Sequence, residues 1–307
     1  MSFSSDVKDE LMLRSLMNGE CCKAAQSYGL LLFGRSFSRT GISVLTENET
    51  VADAYIDAVR YFSGSTPNAE VSDVGNYKIN IEDRTVTDTV LERTGHTGTA
   101  ARRRINFANL ANQCCFAAFI RGVFLVCGTV TDPEREYHLE FTSSSKALCT
   151  DLIKVFEEFD ISPKLSERAG NYIVYIKKST EIEDILSVMG ATDSSMLIMG
   201  AKMYKDVRNN VNRKVNFENA NMARAVQAAA KQYDAVVLIK EKSGIDSLPE
   251  DLREIALLRF ENREATSVEI REMLTEPLSA SGLSHRFRRL LKIADEIKNK
   301  SIKGTDK

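Results

Sequence analysis

The chain has 307 residues, a hydrophobic fraction of 43% and a formal net charge of −2. That is enough apolar material for two or three packed domains, and no apolar run approaches the ~20 residues of a membrane span. The start, Met1-Ser2-Phe3-Ser4-Ser5-Asp6, has no basic and apolar signal region, so a cytoplasmic protein with no membrane partner is expected. Six Cys, with two pairs of immediate neighbours, fit neither a disulfide framework nor CxxC zinc spacing. Buried, reduced thiols on packed helices are expected, with no metal and no cofactor.

The first predicted element is an apolar helix, Cys21 to Gly34. A strand-like run from Ser38 to Leu45 follows, then an amphipathic helix from Val51 to Phe62. After Gly75-Asn76-Tyr77, Ile79 and Ile81 alternate with polar residues as in a half-buried strand. The same series then recurs. Cys114-Cys115, Ala117-Ala118 and Gly122 repeat Cys21-Cys22, Ala24-Ala25 and Gly29 at an offset of 93, and Gly170-Asn171-Tyr172 repeats the later motif at an offset of 95. Between them lie a strand from Tyr137 to Phe141 and a helix from Lys146 to Phe159. Matched spacing of this kind marks duplicated structural units. An α+β fold is predicted, in which two αββαββ units pair antiparallel sheets with helices.

From Ala201 to Lys242 the pattern reads as two helices divided near Asn216 to Asn219, the second running from Ala220 to Lys240. The run Arg213-Lys214-Val215-Asn216 echoes Arg103-Arg104-Ile105-Asn106. Both read as Asn caps or as basic turns against a phosphate backbone. Ser243-Gly244-Ile245-Asp246 breaks the pattern and leads into three further helices. Leu248-Pro249-Glu250 opens the first, with Pro at its first turn, and it extends to about Phe260. Thr266 or Ser267 caps a short second helix through Leu274. The third starts at Ser279-Ala280-Ser281-Gly282-Leu283. A short helix, a turn and a basic helix form a helix-turn-helix pattern.

Charge along the chain is uneven. Residues 250–276 carry eight acidic and four basic side chains, whereas residues 279–307 carry eight basic and three acidic. Residues 202–242 hold nine Lys or Arg against four acids, and Arg102-Arg103-Arg104 lies in a stretch without acids from Gly98 to Thr131. Local basic surface on an acidic chain suits a nucleic-acid partner, while each run taken alone is more often just a solvated face. On the third helix, Leu283, Phe287, Leu290, Leu291, Ala294 and Ile297 form the packing side. Ser281, His285, Arg288, Arg289 and Lys292 face away, with Ser284 and Arg286 on the flanks. Together with Ser279 these are the candidate DNA contacts, with Arg102, Arg103, Arg104, Arg213 and Lys214 as secondary ones.

The paired Gly-bearing apolar helices resemble the LAGLIDADG homing-endonuclease fold. Joined to this C-terminal motif, the chain resembles the WhiA family of bacterial regulators. The resemblance rests on Phe3 to Leu11, both Cys-Cys helices, Asn212-Arg213-Lys214-Val215-Asn216 with Ala220-Asn221, and Ser279 through Arg289. Ala280 departs from the usual lysine and Phe217 from the usual cysteine. The resemblance implies that Gly29 and Gly122 allow close packing of the twin helices. It also places the metal-binding acids of the nuclease at Gly34 and Cys127. Neither residue offers Mg²⁺ a hard oxygen ligand. Asp132, five residues after Cys127, has no acidic counterpart in the first copy.

The expected organisation is a degenerate LAGLIDADG-like domain over 1–200 (repeats 1–95 and 96–200), a helical linker over 201–244, a helix-turn-helix over 245–300 and a tail over 301–307. The expected function is non-enzymatic, sequence-specific binding to double-stranded promoter DNA by a nucleoid-associated transcriptional regulator. What the resemblance adds is a tie to cell division, chromosome segregation or sporulation, and a protein co-regulator. Acidic residues at 132, 134, 136 and 140 argue against DNA contact by the first domain. An active homing-type endonuclease and a protein-binding scaffold of cell division are the alternatives.

Overall fold

Short polar side chains set the helix starts in the first half of the chain. Asn48, Asp83 and Ser145 each accept a hydrogen bond from a first-turn backbone N–H, satisfying donors that the helix itself leaves unpaired. A computed structural model describes residues 2–13, 19–71, 75–97 and 103–303. The chain divides into two units, Met1–Asp206 and Val207–Lys307.

In the first unit, α1 (Phe3–Leu13) precedes α2 (Glu20–Leu32), β1 (Ser36–Ser38), β2 (Gly41–Thr46), α3 (Glu49–Ser63), β3 (Ala69–Val71), β4 (Tyr77–Ile81) and α4 (Arg84–Arg93). The second copy runs α5 (Gln113–Cys127), β5 (Gly128–Val130), β6 (Leu139–Ser143), α6 (Lys146–Glu157), β7 (Lys164–Arg168), β8 (Asn171–Ile176) and α7 (Ser179–Met189). The strands form two antiparallel sheets, ordered β1-β2-β4-β3 and β5-β6-β8-β7. Each αββαββ unit is therefore present, followed by one further helix. Ile79 and Ile81 are buried while Lys78 and Asn80 are exposed, as alternation requires. The second Gly-Asn-Tyr closes a tight hairpin. Arg168 pairs with Asn171, and Ala169 (φ 50°) and Gly170 (φ 78°) are both left-handed, the twist that matches paired strands.

Both sheets and their helices share one apolar core, centred on α2 and α5. These helices touch backbone to backbone. A Cβ on Gly29 would lie 2.6 Å from the Phe119 carbonyl oxygen, and one on Gly122 would fall inside the contact radius of the Gln26 carbonyl oxygen. Tyr28, buried on α2, accepts from the Asn106 N–H at 2.7 Å and bonds His96 Nε2 at 2.9 Å. It thereby ties the segment that joins the copies to the first helix of the pair.

Helix α8 (Thr192–Lys242) is one continuous helix of 51 residues. Its start is capped by the Glu10 carboxylate, which accepts from the N–H groups of Asp193 at 2.7 Å and Ser194 at 3.0 Å. The expected division near Asn216–Asn219 does not occur. Each Asn costs a helix only about 0.7 kcal/mol relative to Ala, and neither Gly nor Pro interrupts residues 201–242, so the Ala-rich flanks carry the helix through. From Asp206 to Ala228 every side chain is exposed. The helix stops before Gly244 (φ 77°). The second unit continues with α9 (Glu250–Glu261), α10 (Ser267–Glu272) and α11 (Ala280–Lys303). They pack on the end of α8 through Val236, Ile239, Leu252, Ile255, Ile270, Leu283, Phe287 and Leu290. Tyr233 stacks on Phe260, with Lys240 Nζ 3.6 Å from the Phe260 ring centre.

The glycine contact gives a direct test. Gly122→Ala gains about 1 kcal/mol of helix propensity but drives a methyl into a carbonyl on the neighbouring helix, an overpacking cost of about 1–3 kcal/mol or more. The variant is expected to melt at lower temperature in calorimetry, whereas Gly200→Ala, in open space on α8, is expected to be neutral or stabilising.

Candidate nucleic-acid interface

The turn between α9 and α10 is held by two features. Thr266 and Glu269 form a reciprocal capping box: the Thr266 hydroxyl accepts from the Glu269 N–H at 3.2 Å, and the Glu269 carboxylate accepts from the Thr266 N–H at 2.6 Å. Helix α10 ends at Glu272, short of the predicted Leu274. The second feature is Arg259, which is fully buried. Its Nη1 donates to the Asn262 and Ala265 carbonyls at 3.2 and 2.5 Å, and its guanidinium lies 5.3 Å from the Phe287 ring centre. One side chain on α9 thus fixes both the turn and the packing of α11. The next turn is tied back to α9 as well, because Glu254 accepts from the Thr275 N–H at 2.7 Å, a bond that also lowers the Glu254 pKa.

On α11 the two sides are clearly different. Leu283, Phe287, Leu290 and Ala294 are buried, while Ser281, Ser284, His285, Arg288 and Lys292 are exposed. Ser279 caps the helix, its hydroxyl accepting from the Gly282 N–H at 3.1 Å and lying 3.0 Å from that of Ser281. Arg288 keeps its local geometry through Nε, which donates to the Ser284 carbonyl at 3.4 Å.

Two of the candidate residues differ from the rest. Arg289 donates to the Asp251 carboxylate on α9, and Arg286 Nε lies 4.0 Å from the same oxygen. Helical spacing alone puts Arg289 on the free face. Asp251 draws it across toward α9, a contact 38 residues away in sequence.

The secondary basic candidates also separate. Arg104 makes a bidentate ion pair with Asp151, at 2.5 and 2.6 Å, and Asp151 is buried on α6 and also accepts from the Ile105 N–H. Arg103 Nη1 donates to the Gly34 carbonyl at 3.1 Å, and burial lowers its pKa. Both guanidiniums hold the fold together, because a buried carboxylate and an unpaired helix-end carbonyl each need a donor. Arg102 lies outside the described residues. Arg213 and Lys214 are exposed in the middle of α8, on a helix rather than the basic turn expected there.

The C-terminal ends of α2 and α5 each lie beside a cation. Gly34 lies just beyond the C-terminal end of α2, where a Cβ would sit 2.8 Å from both the Ser43 carbonyl and the Tyr55 hydroxyl, and where Arg103 already binds. At the end of α5, the Cys127 thiol donates to the Val123 carbonyl at 3.3 Å, and burial pushes its pKa up to about 12. The nearby Lys8 ammonium interacts with that thiol and lies 5.9 Å from the Phe124 ring centre. Cationic side chains suit the negative ends of two helix dipoles and oppose a divalent ion there. Asp132 is occupied locally, its Oδ1 accepting from the Glu134 N–H at 2.8 Å.

At the opposite end of the same helices, Cys21, Cys22, Cys114 and Cys115 converge, with all four sulfurs within 4.8 Å of one another. Reading each Cys pair as separate core packing missed this. The signal was present in the shared register of the two pairs.

Two antiparallel sheets behind twin glycine-bearing helices, followed in the same chain by a helix-turn-helix, define a degenerate LAGLIDADG-like protein with a C-terminal DNA-binding type of module. The WhiA LAGLIDADG-like domain matches residues 116–208, and the WhiA C-terminal HTH domain matches residues 211–294. The chain is 35% identical to the probable cell division protein WhiA of Alkaliphilus metalliredigens, over 98% of this chain and all of that one. It is also 35% identical to the Ruminiclostridium cellulolyticum protein of the same description, over 97% and 98%. Among solved structures it is similar to full-length DUF199/WhiA from Thermatoga maritima, at 25% identity and a TM-score of 0.57, covering 96% and 99% of the two chains. The chain belongs to the WhiA family.

Arg259→Ala removes two carbonyl bonds and leaves a cavity beside Phe287, and is expected to destabilise the second unit by about 2–4 kcal/mol. Loss of helical signal in thermal denaturation of the full chain measures it.

Proposed function

We propose that the chain is a sequence-specific, non-enzymatic DNA-binding regulator of transcription in the bacterial cytoplasm, associated with the nucleoid. α11 reads the duplex at promoters. The single observation that carries this is the exposed polar edge of α11: Ser281, Ser284, His285, Arg288 and Lys292 face solvent, and the opposite edge is fixed by Arg259 and the capped turn. A rigidly held helix with short donors at its N-terminus and Arg one turn later suits the major groove, where Arg binds guanine bidentately. Ser279 contacts phosphate while capping its helix, and Arg286 and Arg289 contact phosphate from the edge nearest Asp251. Arg213 and Lys214, on an uncovered helix, add backbone contacts. The relatives' description as cell division proteins supports genes of division as targets, with sporulation and chromosome segregation as related programmes.

The first unit serves as a scaffold for a protein co-regulator rather than as a second reader. Its outward sheet surface engages its own polar groups: Lys78 pairs with Glu70, and the Glu140 carboxylate lies 3.0 Å from Nε2 of His138, which stacks on Tyr175. Little net positive field remains there to hold a phosphate backbone. The domain boundaries that follow from this reading are a LAGLIDADG-like body over 1–200, a helical linker over 201–244, the reader over 245–300 and a tail over 301–307.

Two experiments test the proposal. Arg288→Ala is expected to weaken specific duplex binding by about 1–3 kcal/mol and relax the sequence preference. Asp251→Ala, which frees Arg289 and Arg286, is expected to tighten binding and steepen the salt dependence by about one phosphate equivalent. Fluorescence anisotropy against salt reads both, and unchanged affinity in both variants would move the DNA site away from α11. For the first unit, incubation with Mg²⁺ or Mn²⁺ and mixed duplex DNA is expected to leave the DNA intact. Metal-dependent nicking that is lost in Asp132→Ala would establish a nuclease instead.

A further inference from the structure

We propose that Cys21, Cys22, Cys114 and Cys115 form a tetrahedral site for one thiophilic divalent cation, zinc in the first instance, which clasps the N-terminal ends of α2 and α5. The four sulfurs already lie within 4.8 Å of one another, and those of Cys21 and Cys22 are 3.9 Å apart. A Zn–S bond of about 2.3 Å in a tetrahedron requires sulfur–sulfur edges of about 3.8 Å. One edge has that length, and the others need to contract by no more than about 1 Å, within reach of χ1 adjustment at the first turn of a helix.

The arrangement is symmetric in the way the chemistry needs. Each helix contributes its second and third residues, one thiol exposed and one buried. The duplication relates Cys21 to Cys114 and Cys22 to Cys115, and a tetrahedron accommodates a two-fold axis through the metal. Cys-Cys neighbours on a single helix could not surround an ion. Two such pairs brought together by the Gly29–Gly122 contact can. Soft thiolates select zinc over the hard Mg²⁺ of a nuclease, and an iron–sulfur cluster would force its thiolates apart by interposing several metals and sulfides.

Electrostatics favour the same site. Neither helix start has a side-chain cap bonded to its backbone N–H groups, and two helix dipoles point their positive ends, about half a charge each, at the sulfurs. Binding releases four protons to solvent as four S–H bonds are replaced by four S–Zn bonds, leaving a dianionic centre with no change of oxidation state. The two positive helix ends offset part of that charge. The exposed thiols of Cys21 and Cys114 give the ion a path from solvent.

The test uses the full chain, purified reduced and then exposed to Zn²⁺ or Co²⁺. The expected result is about one metal per chain with four fewer reactive thiols, sulfur-to-cobalt charge-transfer absorption with the visible bands of tetrahedral Co²⁺, and a lower melting temperature after chelation. Cys21→Ser/Cys114→Ser changes only exposed positions, so it keeps the core and is expected to lose at least about tenfold in metal affinity. Cys22→Ser/Cys115→Ser is expected to abolish binding. Three results would overturn the assignment: no metal uptake with all four thiols reactive, uptake that persists in both double variants, or Co²⁺ binding without thiolate charge transfer. A disulfide across the two helices in reduced, zinc-supplemented protein would do the same.

Discussion

Helices α2 and α5 approach until backbone meets backbone, and everything in the first unit is arranged around that contact. Gly29 faces the carbonyl of Phe119 and Gly122 faces that of Gln26. A side chain at either position would push the helices apart and separate the two sheets behind them. Close approach also sets what lies at each end of the pair. At the C-terminal end it sets Gly34 beside Arg103 and Cys127 beside Lys8. At the N-terminal end it gathers four thiols from sequence positions 93 residues apart.

The chemistry at the two ends follows from one dipole direction. Negative helix ends attract cations, and Arg103 and Lys8 are the cations present. Positive ends stabilise anions, and the ionisable groups gathered there are the four thiols, with Glu20 at the first turn of α2. Gly34 and Cys127 put no carboxylate beside these cations, and burial disfavours the charged forms of both Lys8 and Arg103.

The second unit depends on a different device. Its three helices share a small core with the end of α8, so a buried Arg at the crossing of α9, the turn and α11 is both a constraint and a cost. Arg259 offsets part of that cost with two carbonyl bonds from Nη1 and an aromatic face, while its Nε and Nη2 are buried without a hydrogen-bond partner among the described residues. Asp251 then sorts the cations of α11. It engages Arg289 and leaves Arg288 in solvent, so the helix presents a narrower charged edge than its composition implies.

Periodicity and register made much of this legible. The duplication, the α+β class, the close-packing glycines and the helix-turn-helix all lie within local windows of sequence, where spacing of 2 or 3.6 residues reports burial directly. The buried face of α11, from Leu283 through Ala294, was readable for the same reason. What the sequence could not reveal were pairings between distant residues. Arg104 with Asp151, Arg289 with Asp251 and the four-thiol cluster each depend on how elements pack, and packing is decided by the sum of many weak contacts rather than by any local pattern. The unbroken length of α8 was missed because Asn at a helix start and Asn inside a helix look alike in a string of letters. Only the continuity of the backbone hydrogen bonds through the flanking residues tells them apart.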